Sequence, residues 1–246
     1  MSLYARIRDD IDSILERDPA ARSRLEVFLC YPGLWAVWIH RISHGLWGAK
    51  LRLPARIFSQ VARFYTGVDI HPGALIGRRL FIDHGTGVVI GETAIVGSDV
   101  TIYQGVTLGG TGSDNTSGKR HPTLCDCVFV GNNANILGNI TIGQNSRVGA
   151  GSVVLRDVPP NSTVVGVPAH IIYRNGQRVL ITDPHEVKDP LSDALIALSE
   201  RVERLEASVD GAQPAPHTFR AEDEEREAYR KEMEELRNYV SMGEGI

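Results

Sequence analysis

Apolar residues recur along this chain at different spacings, and each spacing marks a different kind of structure. Near the N-terminus Leu3, Ile7, Ile11, Ile14 and Leu15 follow helical periodicity, and Asp18-Pro19 punctuates the run. A second apolar stretch, Leu25 to Leu53, carries Trp35, Trp38 and Trp47 and extends the predicted helical region over 1–66, with the tryptophans in core or subunit packing.

From Ile70 the interval becomes six. Anchors fall at Ile70, Ile76 and Ile82, slip by two, and resume at Ile90, Val96, Ile102 and Leu108. After an interruption they return at Val130, Ile136, Ile142, Val148 and Val154. A small or aliphatic residue follows four places later at Ala74, Leu80, Thr86, Ala94, Val100, Val106, Ala134, Ile140, Ser146 and Ser152. Neither a helix nor a strand has a period of six, whereas a hexapeptide β-helix does. Three short strands close a triangular coil, the anchors point inward, and stacked coils bury a column that no single repeat could bury. The chain is therefore expected to be α+β, with a parallel β-helix over 67–170. The interruption, GGTGSDNTSGKRHPTL over 109–124, is polar and glycine-rich and ends near Arg120-His121; a long loop in a regular column usually has a use.

Beyond 170 the pattern changes again. Leu191, Leu195, Leu198, Val202, Leu205 and Val209 form a heptad seam. It predicts a helix over 190–209, either in an interchain coiled coil or packed on its own domain. The seam leans towards two strands, but the larger column should set a threefold assembly. A linker over 210–219, a charged helix over 220–240 and a tail ending in Ile246 complete the C-terminal extension, 171–246.

Composition narrows the function. The 246 residues carry a net charge of −4, without the basic excess of a nucleic-acid binder. The longest uncharged apolar run, Val27 to Ile39, contains Pro32-Gly33 and is too short to cross a membrane. Cys30, Cys125 and Cys127 form neither a disulfide framework nor a metal knuckle, and no signal-like segment precedes the first helix, so a cytoplasmic location is expected.

Candidate chemistry sits inside the repeat. Asp69-Ile70-His71-Pro72 opens the column and Asp83-His84-Gly85-Thr86-Gly87 lies on the slip. Asp69 and His84 are 15 apart, close to one coil, which predicts that they stack on adjacent turns. A carboxylate so placed would orient a general base. His71, His84 and His121 lack metal-ligand spacing, so no metal is expected. GGTG at 109–112 does not lie between a strand and a helix and is not a phosphate loop.

The segments VDIHPGALIG, FIDHGTGVVIGETA, VTLGGTG, KRHP, ILGNITIG, VGAGSVV and VPPNSTVVGVPA resemble the bacterial serine O-acetyltransferases of the hexapeptide-repeat superfamily, from ERDPA at 16–20 to VPA at 167–169. The resemblance implies a left-handed coil and transfer of acetyl from acetyl-CoA to the L-serine hydroxyl, giving O-acetylserine for cysteine synthesis. It implies His84 as general base with Asp69 as its partner, and Asp18, Asp83, Arg120 and His121 as the residues that hold serine. Acetyl-CoA would be a co-substrate rather than a bound cofactor. It would lie between subunits near Gly110, Thr111, Asn132 and Ala150, with Arg147 at its phosphates. The assembly implied is a homotrimer or a dimer of trimers, and cysteine would inhibit at the serine site. Ile246 resembles the family ending that plugs O-acetylserine sulfhydrylase. Only 67 residues precede VDIHP, fewer than in long members, which puts the pairing of trimers in question. Two alternatives remain: another small hydroxylated acceptor, such as homoserine or a sugar, or a low-activity regulator of the sulfhydrylase.

Overall fold

The computed structural model describes residues 3–112 and 118–179, together with positions 198, 201 and 202. The chain divides into two compact units, Met1–Val179 and Leu180–Ile246. Of the second unit only Leu198, Arg201 and Val202 are described, all helical and exposed. The rest of the expected heptad helix, the linker, the charged helix and Ile246 lie outside the described residues.

Four helices open the first unit: α1 (Leu3–Arg17), α2 (Arg24–Cys30), α3 (Pro32–Gly48) and α4 (Arg52–Thr66). Their limits follow from local chemistry. α1 stops before Asp18-Pro19, because the residue ahead of a proline is pushed out of the helical region. Ser23 caps α2 by accepting the Glu26 N–H, and Pro32 occupies the first turn of α3, where its missing N–H costs nothing. Gly67 closes α4 in the left-handed conformation at φ 72°.

The remainder is a left-handed parallel β-helix with three faces. Face A stacks β1 (Asp69–Ile70), β4 (Val89–Ile90), β7 (Thr107–Gly109), β10 (Asn135–Leu137) and β13 (Val153–Val154). Face B stacks β2 (Leu75–Ile76), β5 (Ile95–Val96), β8 (Thr123–Leu124) and β11 (Thr141–Ile142). Face C stacks β3 (Phe81–Ile82), β6 (Thr101–Ile102), β9 (Phe129–Val130), β12 (Arg147–Val148) and β14 (Ser162–Gly166). An antiparallel hairpin, β15 (Ala169–Arg174) and β16 (Gln177–Arg178), then extends face C past residue 170. All the anchors but Ile76, which is half-buried, lie in the core as the period of six requires, and Leu124 joins them at 1% exposure, one repeat ahead of Val130.

The coils are unequal. Val89 lies beside Thr107, but Asp69 lies beside Val89 and Val96 beside Leu124. The first coil therefore spans 20 residues and the one containing the loop spans 28. Two consequences correct the sequence reading. The two extra residues of the slip bulge outward, so the position that Thr86 holds in the six-residue count passes to Val88, which is buried while Thr86 is exposed. And Asp69 stacks on Val89, not on His84.

The helices dock on the first coils of faces A and C. Arg17 donates to the carbonyl oxygens of Arg79 and Val100 and to Thr101 Oγ1. Arg79 in turn pairs with Asp9, Glu16 and Asp99. Gly33 is required at its position: a Cβ there would stand 2.1 Å from the Ile82 carbonyl oxygen, so only glycine lets α3 meet the backbone of β3. No helix among the described residues is long and apolar enough to cross a membrane.

Candidate active site

Residues with candidate chemistry gather at two edges of the column. The edge between faces C and A carries Asp83 to Gly87, then Tyr103-Gln104, then Asn132, then Ala150. These turns are tied by backbone bonds from Gly105 to Thr86, Asn133 to Gln104 and Gly151 to Asn132. His84 projects from the slip with its side chain 72% exposed and its backbone at φ 59°, the left-handed conformation that Asn133 also adopts further along the same edge. Its Nε2 lies 3.8 Å from Asp83 Oδ1.

Asp18 reaches this edge from the turn after α1. Its Oδ1 accepts the Ala20 N–H at 2.8 Å and its Oδ2 accepts the Tyr31 hydroxyl at 2.5 Å. Burial raises the Asp83 carboxyl above its ordinary range; His84 opposes the shift and Asp18 adds to it, which places the two carboxylates in one electrostatic environment. Tyr31 and Tyr103 are both raised, first by burial and then by these same carboxylates. Two acids and two phenols thus share one electrostatic neighbourhood, whose negative charge suits an ammonium group.

The edge between faces A and B carries the return of the loop. Arg120 Nη2 stands 3.7 Å from Glu92 Oε2, both half-exposed. His121 is buried, with Nδ1 2.8 Å from Thr93 Oγ1. Arg120 supplies the flat, bidentate donor that a carboxylate takes. Asp69, at the head of face A, pairs with Arg63 at 3.6 Å. Among the described residues no hydrogen bond or ion pair joins Asp69 to His84, or either edge to the other.

The residues expected to meet CoA divide in the same way. Asn132 and Ala150 lie on the His84 edge, whereas Gly110 and Thr111 begin the loop on the other. Arg147 lies over the Phe129 ring at 5.6 Å, and that ring packs against Tyr103. Sequence reading missed Tyr31, Thr93, Glu92 and Tyr103. Each meets a residue distant in sequence: Tyr31, ahead of Pro32 at the start of α3, meets Asp18, and Glu92 and Thr93, in the turn after β4, meet Arg120 and His121.

Three-faced parallel columns with six-residue repeats are built by the bacterial hexapeptide transferases, and residues 121–156 match the family model for the bacterial transferase hexapeptide (six repeats). The serine acetyltransferase of Bacillus pumilus is 51% identical over 207 residues, 84% of this chain and 94% of that protein. That of Staphylococcus aureus strain MSSA476 is 54% identical over 205 residues, 83% of this chain and 94% of its own. Among solved structures, a serine acetyltransferase from Brucella abortus in complex with coenzyme A superposes with a TM-score of 0.68 at 44% identity, covering 70% of this chain and 68% of that one. One from Neisseria gonorrhoeae in complex with serine gives 0.64 at 46% identity, with 68% of each chain covered. The chain belongs to the serine acetyltransferase family.

Proposed function

We propose that the chain is a serine O-acetyltransferase, moving acetyl from acetyl-CoA to the hydroxyl of L-serine and so supplying O-acetylserine for cysteine biosynthesis in the cytoplasm. The observation that carries the reading is the division of charge between the edges. Asp18 and Asp83 suit the ammonium of an amino acid, Arg120 and His121 suit its carboxylate, and His84 stands on an exposed turn beside the acidic pair. A sugar would use neither a dedicated carboxylate donor nor an ammonium pocket.

His84 takes the proton of the serine hydroxyl as that oxygen attacks the thioester carbonyl, and returns it to the departing CoA sulfur, so the side chain ends as it began. Asp69 is the orienting carboxylate, on the resemblance of its motif; its pair with the exposed Arg63 is weak, and the His84 side chain is largely exposed. A second reading gives that role to Asp83, the carboxylate 3.8 Å from Nε2. Gly110, Thr111, Asn132 and Ala150 offer backbone to CoA, and Arg147 offers charge to its phosphates.

Because the two limbs occupy different edges, a complete site needs the second limb from a neighbouring copy. This supports a homotrimer, alone or paired. Ile246 as the anchor for O-acetylserine sulfhydrylase rests on the resemblance of the chain's ending, and no metal is assigned a part. The test is CoA release from acetyl-CoA with L-serine, homoserine or a sugar as acceptor, in wild type and His84→Ala. The expected result is a serine-dependent rate that falls about 10²–10⁴-fold in the variant. No release above background from the wild type would end the enzyme reading.

A further inference from the structure

The returning limb of the loop is organised around one side chain that the motif carry-over leaves without a role. Thr93 Oγ1 accepts the backbone N–H groups of Arg120 at 3.0 Å and His121 at 3.1 Å, and lies 2.8 Å from His121 Nδ1. The backbone N–H of Thr93 points to the same Nδ1 at 3.1 Å. Its carbonyl accepts Lys119 Nζ at 3.0 Å, and that ammonium also reaches the His121 carbonyl at 2.8 Å. Three consecutive loop residues therefore converge on a single threonine.

This pattern fixes the imidazole's proton. A backbone N–H can only donate, so His121 Nδ1 accepts. The Thr93 oxygen already accepts two N–H groups, so its own hydrogen goes to Nδ1 as well. A neutral ring whose Nδ1 accepts carries its proton on Nε2. The ring's position is fixed independently. A Cβ at Gly91 would fall 2.0 Å from His121 Cδ2 and 2.2 Å from Nε2, so the imidazole lies directly against a glycine backbone.

We infer that Thr93 is a positioning residue for the carboxylate-binding limb. It holds His121 as the Nε2–H tautomer and sets the backbone of Arg120, so that guanidinium and imidazole N–H act as a fixed pair of donors. What the pair binds rests on the serine acetyltransferase reading; the tautomer does not.

Full-length protein labelled with ¹⁵N-histidine separates the two. Long-range ¹H–¹⁵N correlations near neutral pH should show His121 protonated on Nε2 and bare on Nδ1. The opposite tautomer, or a doubly protonated ring, overturns the inference whatever any variant does. In kinetics, Thr93→Val should raise the KM for serine about tenfold, with the KM for acetyl-CoA within about twofold, and Thr93→Ser should restore serine binding to within about threefold of wild type. An unchanged serine KM in a folded Thr93→Val protein also overturns it. If that variant does not fold, the wild-type spectrum and Thr93→Ser still decide. A wild type that releases no CoA with serine defeats the functional reading, and the His121 spectrum then judges the positioning role alone.

Discussion

Tyr31 and Asp18 stand 13 residues apart in sequence and 2.5 Å apart in space, hydroxyl to carboxylate. With the Ala20 N–H on the other oxygen, the Asp18 carboxylate has both its direction and its plane set before any ligand arrives. Tyr31→Phe keeps the ring against Phe81 and removes only the hydroxyl. A hydrogen bond to a charged group contributes about 1.5–3 kcal/mol, so the KM for serine is expected to rise by about tenfold or more, with kcat little changed. In an Asp18→Asn background the same change should have no further effect. A full effect there would show that Tyr31 acts by another route.

The carboxylates of Asp69 and Asp83 make separable predictions. Asp69→Asn is expected to lower kcat by at least about tenfold, since a base without its orienting partner loses its tautomer and direction. Asp83→Asn should instead raise the KM for serine. If Asp83→Asn alone lowers kcat, the orienting role passes to Asp83.

Asp83 also carries a stability signature. Its carboxyl is raised in the folded state, so the folded protein binds that proton more tightly than the unfolded chain does. Stability from this group is present below the unfolded value of 3.8 and is lost as pH rises through the folded value. At neutral pH Asp83→Asn should therefore melt at the same temperature as wild type or higher, while binding serine worse. The difference should shrink as pH falls towards 4.

His40 gives the opposite slope. It is 3% exposed in α3, its Nδ1 has no hydrogen-bond partner, and burial lowers its pKa to about 4, with the nearby charges of His44, Arg41 and His71 adding to the effect. Between about 6.5 and 4 the unfolded chain binds more protons, so folding weakens as pH falls through that window, by on the order of 3 kcal/mol. Denaturant midpoints of wild type should drop across this range, and those of a folded His40→Gln protein should drop less.

On the edge between faces B and C, Arg79, Asp99, Cys127, Asn145 and Asn161 all adopt positive φ of 55–58°. Asparagine and aspartate tolerate this conformation better than cysteine does. Cys127→Asn is expected to stabilise the column by a few tenths to about 1 kcal/mol, read as a rise in the denaturation midpoint.

The column was legible because its signal repeats: each anchor is weak evidence, but Ile90, Val96 and Ile102 confirm one another, and the structure buries all of them. Leu124 escaped the reading because the loop hid the frame ahead of it. Thr86 counts as the residue four places after Ile82, but a slip of two does not announce which residues bulge, and the buried position falls to Val88. The same ambiguity made Asp69 and His84 look stacked, since a separation of 15 means little where the local coil is 20. In the site, DHGTG and RHP identified His84, Asp83, Arg120 and His121 by their motifs. Tyr31 and Thr93 could not be found that way, because what qualifies them is a contact made across the fold.

The unequal coils have a consequence for how the chain finds its register. A stack of identical 18-residue turns could slide by a full turn and bury the same kind of residues, leaving many near-equivalent misfolds. Here the 20-residue first coil and the 28-residue coil each fit at one level only. A shifted ladder would force the slip into a regular edge, or strand the loop across a face. Irregularities that serve the site thereby number the coils, and they penalise misthreaded and strand-swapped assemblies that a more perfect repeat would permit.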